Sequence, residues 1–186
     1  MAVLSGLMTV AEFMSLPERA GGWRQELHHG ELFEMPPVKS LHVELQDVLV
    51  EALAELLGPA YQVSQEIPFR PLPEHEVWTA DVAVVTRSRW KTTPRNGYFA
   101  GVPEIVIEVL SPSNTASEML DREQTCLVNG GLQFWQVDPS RRAVRVTNSD
   151  GFMRSYGASD EIPLAAAGTG KKLALARIFE AESQLS

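Results

Sequence analysis

Alternating apolar positions mark out the most informative strand of the chain, at residues 103–114, which carries a carboxylate, Glu108, near its centre. Ile105, Ile107 and Val109 fall on one face of this strand and Glu108 on the other. Both faces are otherwise apolar, so we expect the strand to be buried on both sides. A buried glutamate is costly unless it is paired or binds a metal, and we interpret Glu108 as a metal ligand.

A second apolar strand, residues 77–86, carries Asp81. Regular alternation places Thr79, Asp81, Ala83 and Val85 on one face. Adjacent strands lie about 4.8 Å apart, so carboxylates on two neighbouring strands can reach one ion. Carboxylate oxygens favour Mg²⁺ or Mn²⁺ over zinc or copper. A helix cap, a salt bridge or a partly exposed strand end would explain either residue without a metal.

The remaining apolar periodicity predicts a central sheet with flanking helices. Helices are predicted at residues 9–16, 40–57 and 115–129, and further strands at 23–27, 31–35, 61–69, 132–137, 143–148 and 152–156. Residues 87–102 are predicted to form a long loop with a helical turn. This order predicts a mixed α/β (α+β) fold, and residues 1–186 are expected to form a single domain.

Arg122 is predicted to point from a helix toward Glu108. It shares a helix face with Met119 and Cys126, and both of these residue types are usually buried. A guanidinium beside the carboxylates can stabilise negative charge on a phosphoryl group, but it stays protonated and cannot act as a base. The alternative is a purely structural ion pair with Glu108 or Asp81.

Charge and cysteine content narrow the class of protein. The 186-residue chain has a net charge of −8, which argues against non-specific coating of nucleic acid. Its single cysteine fits a reducing compartment, and without a signal peptide or a long apolar segment we expect a cytoplasmic protein that does not span a membrane.

One local basic segment stands out against this acidic background. It contains the cations Arg87, Arg89, Lys91 and Arg95, with aromatic residues interleaved and no acid between Val82 and Pro103. Such a segment can contact phosphates and stack on bases. An ordinary solvated loop or a subunit contact explains it equally well.

Taken together, these residues resemble the putative restriction endonuclease family of uncharacterised bacterial proteins, in the PD-(D/E)XK nuclease superfamily. The resemblance covers roughly residues 9–180. It is carried by Glu26-Leu-His-His-Gly-Glu-Leu32, His42, Asp81, Glu108-Val-Leu-Ser-Pro-Ser113, Asp121-Arg122, Gly130 and Phe134-Trp-Gln-Val-Asp-Pro139.

The resemblance implies a restriction-endonuclease-like fold and a DNA endonuclease that uses Mg²⁺ or Mn²⁺. Asp81, Glu108 and the main-chain carbonyl of Val109 would bind the metal, with Arg122 as a further catalytic residue. Glu26 and His42 match polar positions of the family pattern and would be accessory; a hairpin salt bridge and an exposed first helical turn are the alternatives. The resemblance also implies a homodimer.

The chain departs from the pattern at the lysine. In the wider superfamily a lysine follows two residues after the glutamate, where this chain has Leu110, and the family pattern moves it to the position of Arg122. Cys126 stands where an aromatic residue is usual, and Ala80 replaces a proline. Two functions therefore remain open: an active nuclease, or a nuclease fold with weak or no activity that serves as a binding or assembly module. His28 and His29 are expected to be solvated in a turn.

Overall fold

A computed structural model describes residues 6–17, 19–164, 168 and 170–183 of the protein. Its helices are α1 (Val10–Met14), α2 (Ser40–Leu57), α3 (Arg87–Trp90), α4 (Ala116–Val128) and α5 (Ala176–Ser183). Its strands are β1 (Arg24–His28), β2 (Glu31–Met35), β3 (Tyr61–Arg70), β4 (Trp78–Thr86), β5 (Phe99–Ala100), β6 (Ile105–Val109), β7 (Gln133–Asp138), β8 (Ala143–Asn148), β9 (Met153–Gly157), β10 (Glu161–Pro163) and β11 (Lys172–Ala174).

A seven-stranded mixed sheet forms the centre of the fold, with the strand order β5-β3-β4-β6-β7-β8-β9. The pairs β3–β5 and β6–β7 are parallel, and the other neighbours are antiparallel. One apolar cluster packs α2 and α5 against the sheet, and a second packs α4 against it. The predicted mixed fold with a central sheet flanked by helices is confirmed.

Strand β6 has the predicted alternation. All five of its residues are buried. Ile105, Ile107 and Val109 belong to the core beneath α2, whereas Val106 belongs to the core beneath α4. Glu108 has the same strand parity as Val106 and therefore faces α4.

Strand β4 does not alternate regularly, because its faces exchange at Asp81. Before Asp81, Trp78 and Ala80 lie in the core beneath α4; after it, the residues of opposite parity, Ala83 and Val85, lie there. The prediction that Thr79, Asp81, Ala83 and Val85 share one face is therefore wrong. Both faces of the strand are apolar, so its sequence gave no sign of the change.

Helix α4 begins with a capping box. The Thr115 hydroxyl accepts from the Glu118 amide, and the Glu118 carboxylate accepts from the Thr115 amide. Such a cap stabilises a helix by about 1 kcal/mol. Met119, Arg122 and Cys126 are buried beneath the helix, as predicted.

Two connections extend the sequence-based expectations or differ from them. Residues 87–102 contain the predicted helical turn, as α3, and in addition the short strand β5. His28 ends β1 and is half-buried, so it is not part of a solvated turn. The turn itself is His29-Gly30, where both residues have positive φ (51° and 76°), as a two-residue hairpin loop requires.

Candidate active site

The sheet brings Asp81 and Glu108 together. Strands β4 and β6 pair Val82 with Ile107 and Ala83 with Val106, and this register continued by one residue sets Asp81 opposite Glu108. The two residues are 5% and 6% exposed. Both line one cavity of about 440 Å³, which Glu26, His42 and Arg122 also line. Val109 lines it as well, so the cavity contains six of the site residues predicted from the sequence.

Asp81 is held by a neighbouring strand and by α2. Its Oδ2 accepts a hydrogen bond from the Val109 amide at 2.8 Å. His42 Nε2 lies 3.0 Å from Asp81 Oδ1, and Gln46 Nε2 donates to the same oxygen at 3.3 Å. His42 and Gln46 are four residues apart on α2, so both reach the carboxylate from one helix face.

Glu66 is a further acidic residue at this site, and it was missed from the sequence. The register of β3 and β4 places it opposite Asp81, and its φ is +54°. Its carboxylate accepts from Gln46 at 2.6 Å and from Arg24. In the sequence, Glu66 is only an acid in a predicted strand. Its relation to Asp81 becomes apparent only when β3 and β4 are known to pair.

Burial of the Glu108 carboxylate is electrostatically unfavourable. Burial raises the pKa of its carboxyl well above the ordinary value; the charge of Arg122 opposes this, and that of Asp81 adds to it. Its Oε1 lies 3.7 Å from Arg122 Nε, yet this buried oxygen accepts no hydrogen bond from any residue that the structure describes. A buried oxygen without a donor is suited to a cation.

Arg122 links Glu108 to Glu26. Its Nη2 donates to Glu26 Oε2 and to the Thr79 carbonyl, both at 3.1 Å, and its guanidinium lies 5.4 Å from the centre of the Trp78 ring. Burial disfavours the Arg122 cation, but Glu108 and Glu26 outweigh it and raise the pKa of Arg122. The predicted ion pair with Glu108 is present, and Glu26 is a second partner.

Glu26 is buried, as its partners require. Its Oε1 accepts from the Thr79 amide at 2.9 Å, and its Oε2 lies 2.5 Å from His28 Nε2. Burial opposes ionisation of Glu26, but Arg122, His28 and the Thr79 amide together lower its pKa. Glu26 therefore anchors the β1–β2 hairpin to Arg122.

The basic segment lies at the other end of β4, beyond Thr86. Arg87 donates to the Tyr61 carbonyl at 3.1 Å. Arg89 donates to the Val102 carbonyl at 2.9 Å and lies 3.2 Å from Glu104. Lys91 and Arg95 are exposed. The structure does not bring these cations to the cavity, and their contact with nucleic acid stays a prediction.

The donor atoms of the cavity fit a divalent metal. The carboxylates of Asp81 and Glu108 both line this cavity, and the Glu108 oxygen that accepts no hydrogen bond from the described residues is available to a cation. Hard oxygen donors of this kind suit Mg²⁺ and Mn²⁺.

The fold and the cavity define an α+β protein with a mixed central sheet and a buried acidic site. A family model described as a putative restriction endonuclease matches residues 10–169, and the chain belongs to this family. Among solved structures, it is similar to the crystal structure of a putative nuclease from Anabaena variabilis, with a TM-score of 0.78. That match covers 94% of this chain and 98% of the other at 20% identity, and it establishes the fold. No curated protein matches the sequence.

Proposed function

We propose that this protein is a Mg²⁺- or Mn²⁺-dependent endonuclease that hydrolyses phosphodiester bonds in DNA. The observation that carries the proposal is the buried pair Asp81 and Glu108 in one cavity, with a Glu108 oxygen that accepts no hydrogen bond. Membership of a restriction endonuclease family supports the reaction class.

The metal would be held by Asp81, Glu108 and the main-chain carbonyl of Val109, with His42 and Glu26 as accessory residues. A divalent cation bound there supplies an activated water and offsets charge on the scissile phosphate. The Val109 amide fixes the orientation of Asp81 through the 2.8 Å hydrogen bond to Oδ2.

Arg122 contributes positive charge and positions Glu108. It remains protonated throughout and moves no proton. Glu26 and the Thr79 carbonyl hold its Nη2, so the guanidinium stays beside Glu108 at the wall of the cavity. A fixed cation next to a reacting phosphate stabilises negative charge that develops there.

A second cavity gives the substrate strand a path away from the carboxylates. It has a volume of about 620 Å³ and shares the wall residues Leu41, Leu110 and Pro112 with the first. Arg141 and Arg145, which are paired with Asp138 and Glu123, also line it. A groove with apolar walls and two arginines suits a nucleotide with its phosphate.

The second function, binding with little or no cleavage, is favoured by the same arginine. Arg122 Nη2 is engaged by Glu26 and Thr79, and Arg122 Nε faces Glu108. An arginine also lacks the titratable amine that a lysine would bring to this position.

Plasmid nicking with Mg²⁺ and with Mn²⁺ tests the proposal. We expect wild type to nick DNA, and Asp81→Asn and Glu108→Gln to lose at least about 100-fold in rate, because loss of even outer-shell partners costs 10–100-fold. Asp47→Asn, exposed on α2, is the matched control and should keep wild-type activity.

Equal nicking by wild type and Asp81→Asn would reject this site as the source of activity. DNA binding by wild type without cleavage under either metal would establish the second function, and neither binding nor cleavage would reject both.

The proposal also includes one domain over residues 1–186, a homodimer and a cytoplasmic location. The single cysteine, Cys126, is buried, and a chain with one cysteine is consistent with a reducing compartment. Within the described part of the chain, no helix combines the length and apolar character that a membrane crossing needs.

A further inference from the structure

A change of face in two paired strands occurs beside Asp81. In β3, Val63 packs in the core beneath α2, yet Ile67, which has the same parity, packs in the core beneath α4. In β4, Ala80 and Val82 differ in the same way. The two strands therefore exchange faces together; Glu66 is one of the three residues between Val63 and Ile67, and Asp81 is the residue between Ala80 and Val82.

The backbone of Glu66 is unusual at this point. Its φ of +54° lies in the left-handed region, which a non-glycine residue inside a strand rarely adopts. Ladder pairs are formed by Gln65 with Val82 and by Ile67 with Ala80, but not by Glu66 with Asp81. Such strain costs on the order of 1–3 kcal/mol and tends to cluster at functional sites.

The exchange of faces turns both carboxylates toward the first turns of α2. There His42, Glu66 and Asp81 each offer one ligand atom, and these three atoms lie within 4.8 Å of one another. Glu108 is not part of this group, so the group adds ligands on the α2 side of Asp81.

His42 has the burial and the contacts expected of a metal ligand. Its side chain is 14% exposed, and its Nε2 lies 3.0 Å from Asp81 Oδ1. The geometry of this contact is not that of a hydrogen bond, and among the described residues the buried Nε2 has no hydrogen-bond partner. His42 therefore contacts Asp81 without a hydrogen bond at Nε2, and its ring belongs to the same group of ligand atoms as Glu66.

From these observations we propose that His42, Glu66 and Asp81 form a cation position that selects Mn²⁺ over Mg²⁺. Mg²⁺ prefers oxygen ligands and keeps its waters, whereas imidazole suits transition metals. The position shares Asp81 with the site of the proposed nuclease and deepens that proposal by naming the residues that set its metal preference.

Arg24 and Gln46 affect how strongly this position binds a cation, because they hydrogen-bond to its ligands. Both donate to the Glu66 carboxylate, and Gln46 also donates to Asp81. They keep the two acids in place while no cation is bound. A bound Mn²⁺ competes with Arg24 for Glu66, so Arg24→Gln should strengthen Mn²⁺ binding.

Metal titration tests the inference without a nuclease assay. Binding of Mn²⁺ is followed by loss of the free-ion EPR signal, and binding of Mg²⁺ by competition. We expect wild type to bind Mn²⁺ at least tenfold more tightly than Mg²⁺. Glu66→Gln and His42→Gln should each weaken Mn²⁺ binding about 10–100-fold and change Mg²⁺ binding less. Asp47→Asn is the matched control on α2.

A spectroscopic readout keeps the test decisive if Glu66→Gln fails to fold. Pulsed EPR of the wild type with Mn²⁺ should show a nitrogen coupling from an imidazole, and His42→Gln should abolish it. Equal affinities for the two metals in wild type, or Mn²⁺ binding within twofold of wild type in both variants, would overturn the inference.

Failure of this inference and failure of the nuclease proposal are distinguishable. If wild type cleaves DNA but Glu66→Gln and His42→Gln bind Mn²⁺ normally, only the cation position is rejected. If the Mn²⁺ preference depends on these residues but no DNA is cleaved, the cation position stands and the nuclease is rejected.

Discussion

At the residue scale, Arg122 shows how one side chain serves both structure and site. It is 9% exposed and lies between two buried carboxylates, those of Glu26 and Glu108. Buried ions need partners, and removing one member of such a set leaves the others uncompensated. The ion pair considered as an alternative from the sequence and the proposed contact with phosphate are therefore properties of the same residue.

Removal of Arg122 should destabilise the protein strongly. We expect Arg122→Met to lower the free energy of unfolding by about 3–5 kcal/mol, because Glu26 and Glu108 would then be buried without a cation. Urea denaturation measures the effect. The double variant Arg122→Met/Glu26→Gln should be more stable than Arg122→Met alone. A double variant that loses the sum of the two single effects would show that Arg122 and Glu26 are not coupled.

At the element scale, the β1–β2 turn is fastened to α4 and to the segment before β4. His29 Nε2 lies 3.0 Å from Asp121 Oδ2, and its Nδ1 lies 3.0 Å from Glu76 Oε1. The hydrogen bond to Asp121 raises the pKa of His29; burial opposes this, and Glu76 adds to it. The turn holds the hairpin that carries Glu26, so this contact supports the position of Arg122.

The contribution of His29 to stability should depend on pH. Because its pKa is raised in the folded protein, the stabilisation is fully present below the unfolded pKa of about 6.5 and is lost as the pH rises through the folded value. His29→Gln should therefore reduce the free energy of unfolding at pH 6 and have little effect at pH 9. Asp121→Asn should reproduce much of the loss, and a loss that is equal at both pH values would exclude this origin.

At the scale of the whole molecule, cation binding and folding are linked. Asp81 and Glu108 come from different strands, and Glu66 and His42 from a third strand and a helix. Only the folded chain assembles them, so a metal that binds this assembly stabilises the native state against the unfolded state.

Divalent metal should raise the melting temperature. A ligand at 100 times its Kd adds about 2.7 kcal/mol, which corresponds to about 5–10 °C for a protein of this size. Calorimetry with Mn²⁺, with Mg²⁺ and with EDTA measures the shift. Asp81→Asn should remove the shift for both metals, whereas a shift retained in Asp81→Asn would place the bound metal elsewhere.

The sequence alone determined the elements and the residues with unusual chemistry. Apolar periodicity is a local property, so it gave the helices at residues 40–57 and 115–129 and the two buried strands that carry Asp81 and Glu108. A carboxylate in an apolar strand is costly wherever that strand is buried, and this cost made both residues visible without a structure.

Tertiary structure alone decided which of these residues meet. The exchange of faces at Asp81 occurs in the paired strands β3 and β4 together, and β4 is apolar on both sides, so no alternation revealed it. Glu66 and Gln46 joined the site only through strand register and helix docking. Whether the basic segment after β4 folds back toward the carboxylates is likewise decided by tertiary contacts, and those of Arg87 and Arg89 with the Tyr61 and Val102 carbonyls keep it beyond Thr86.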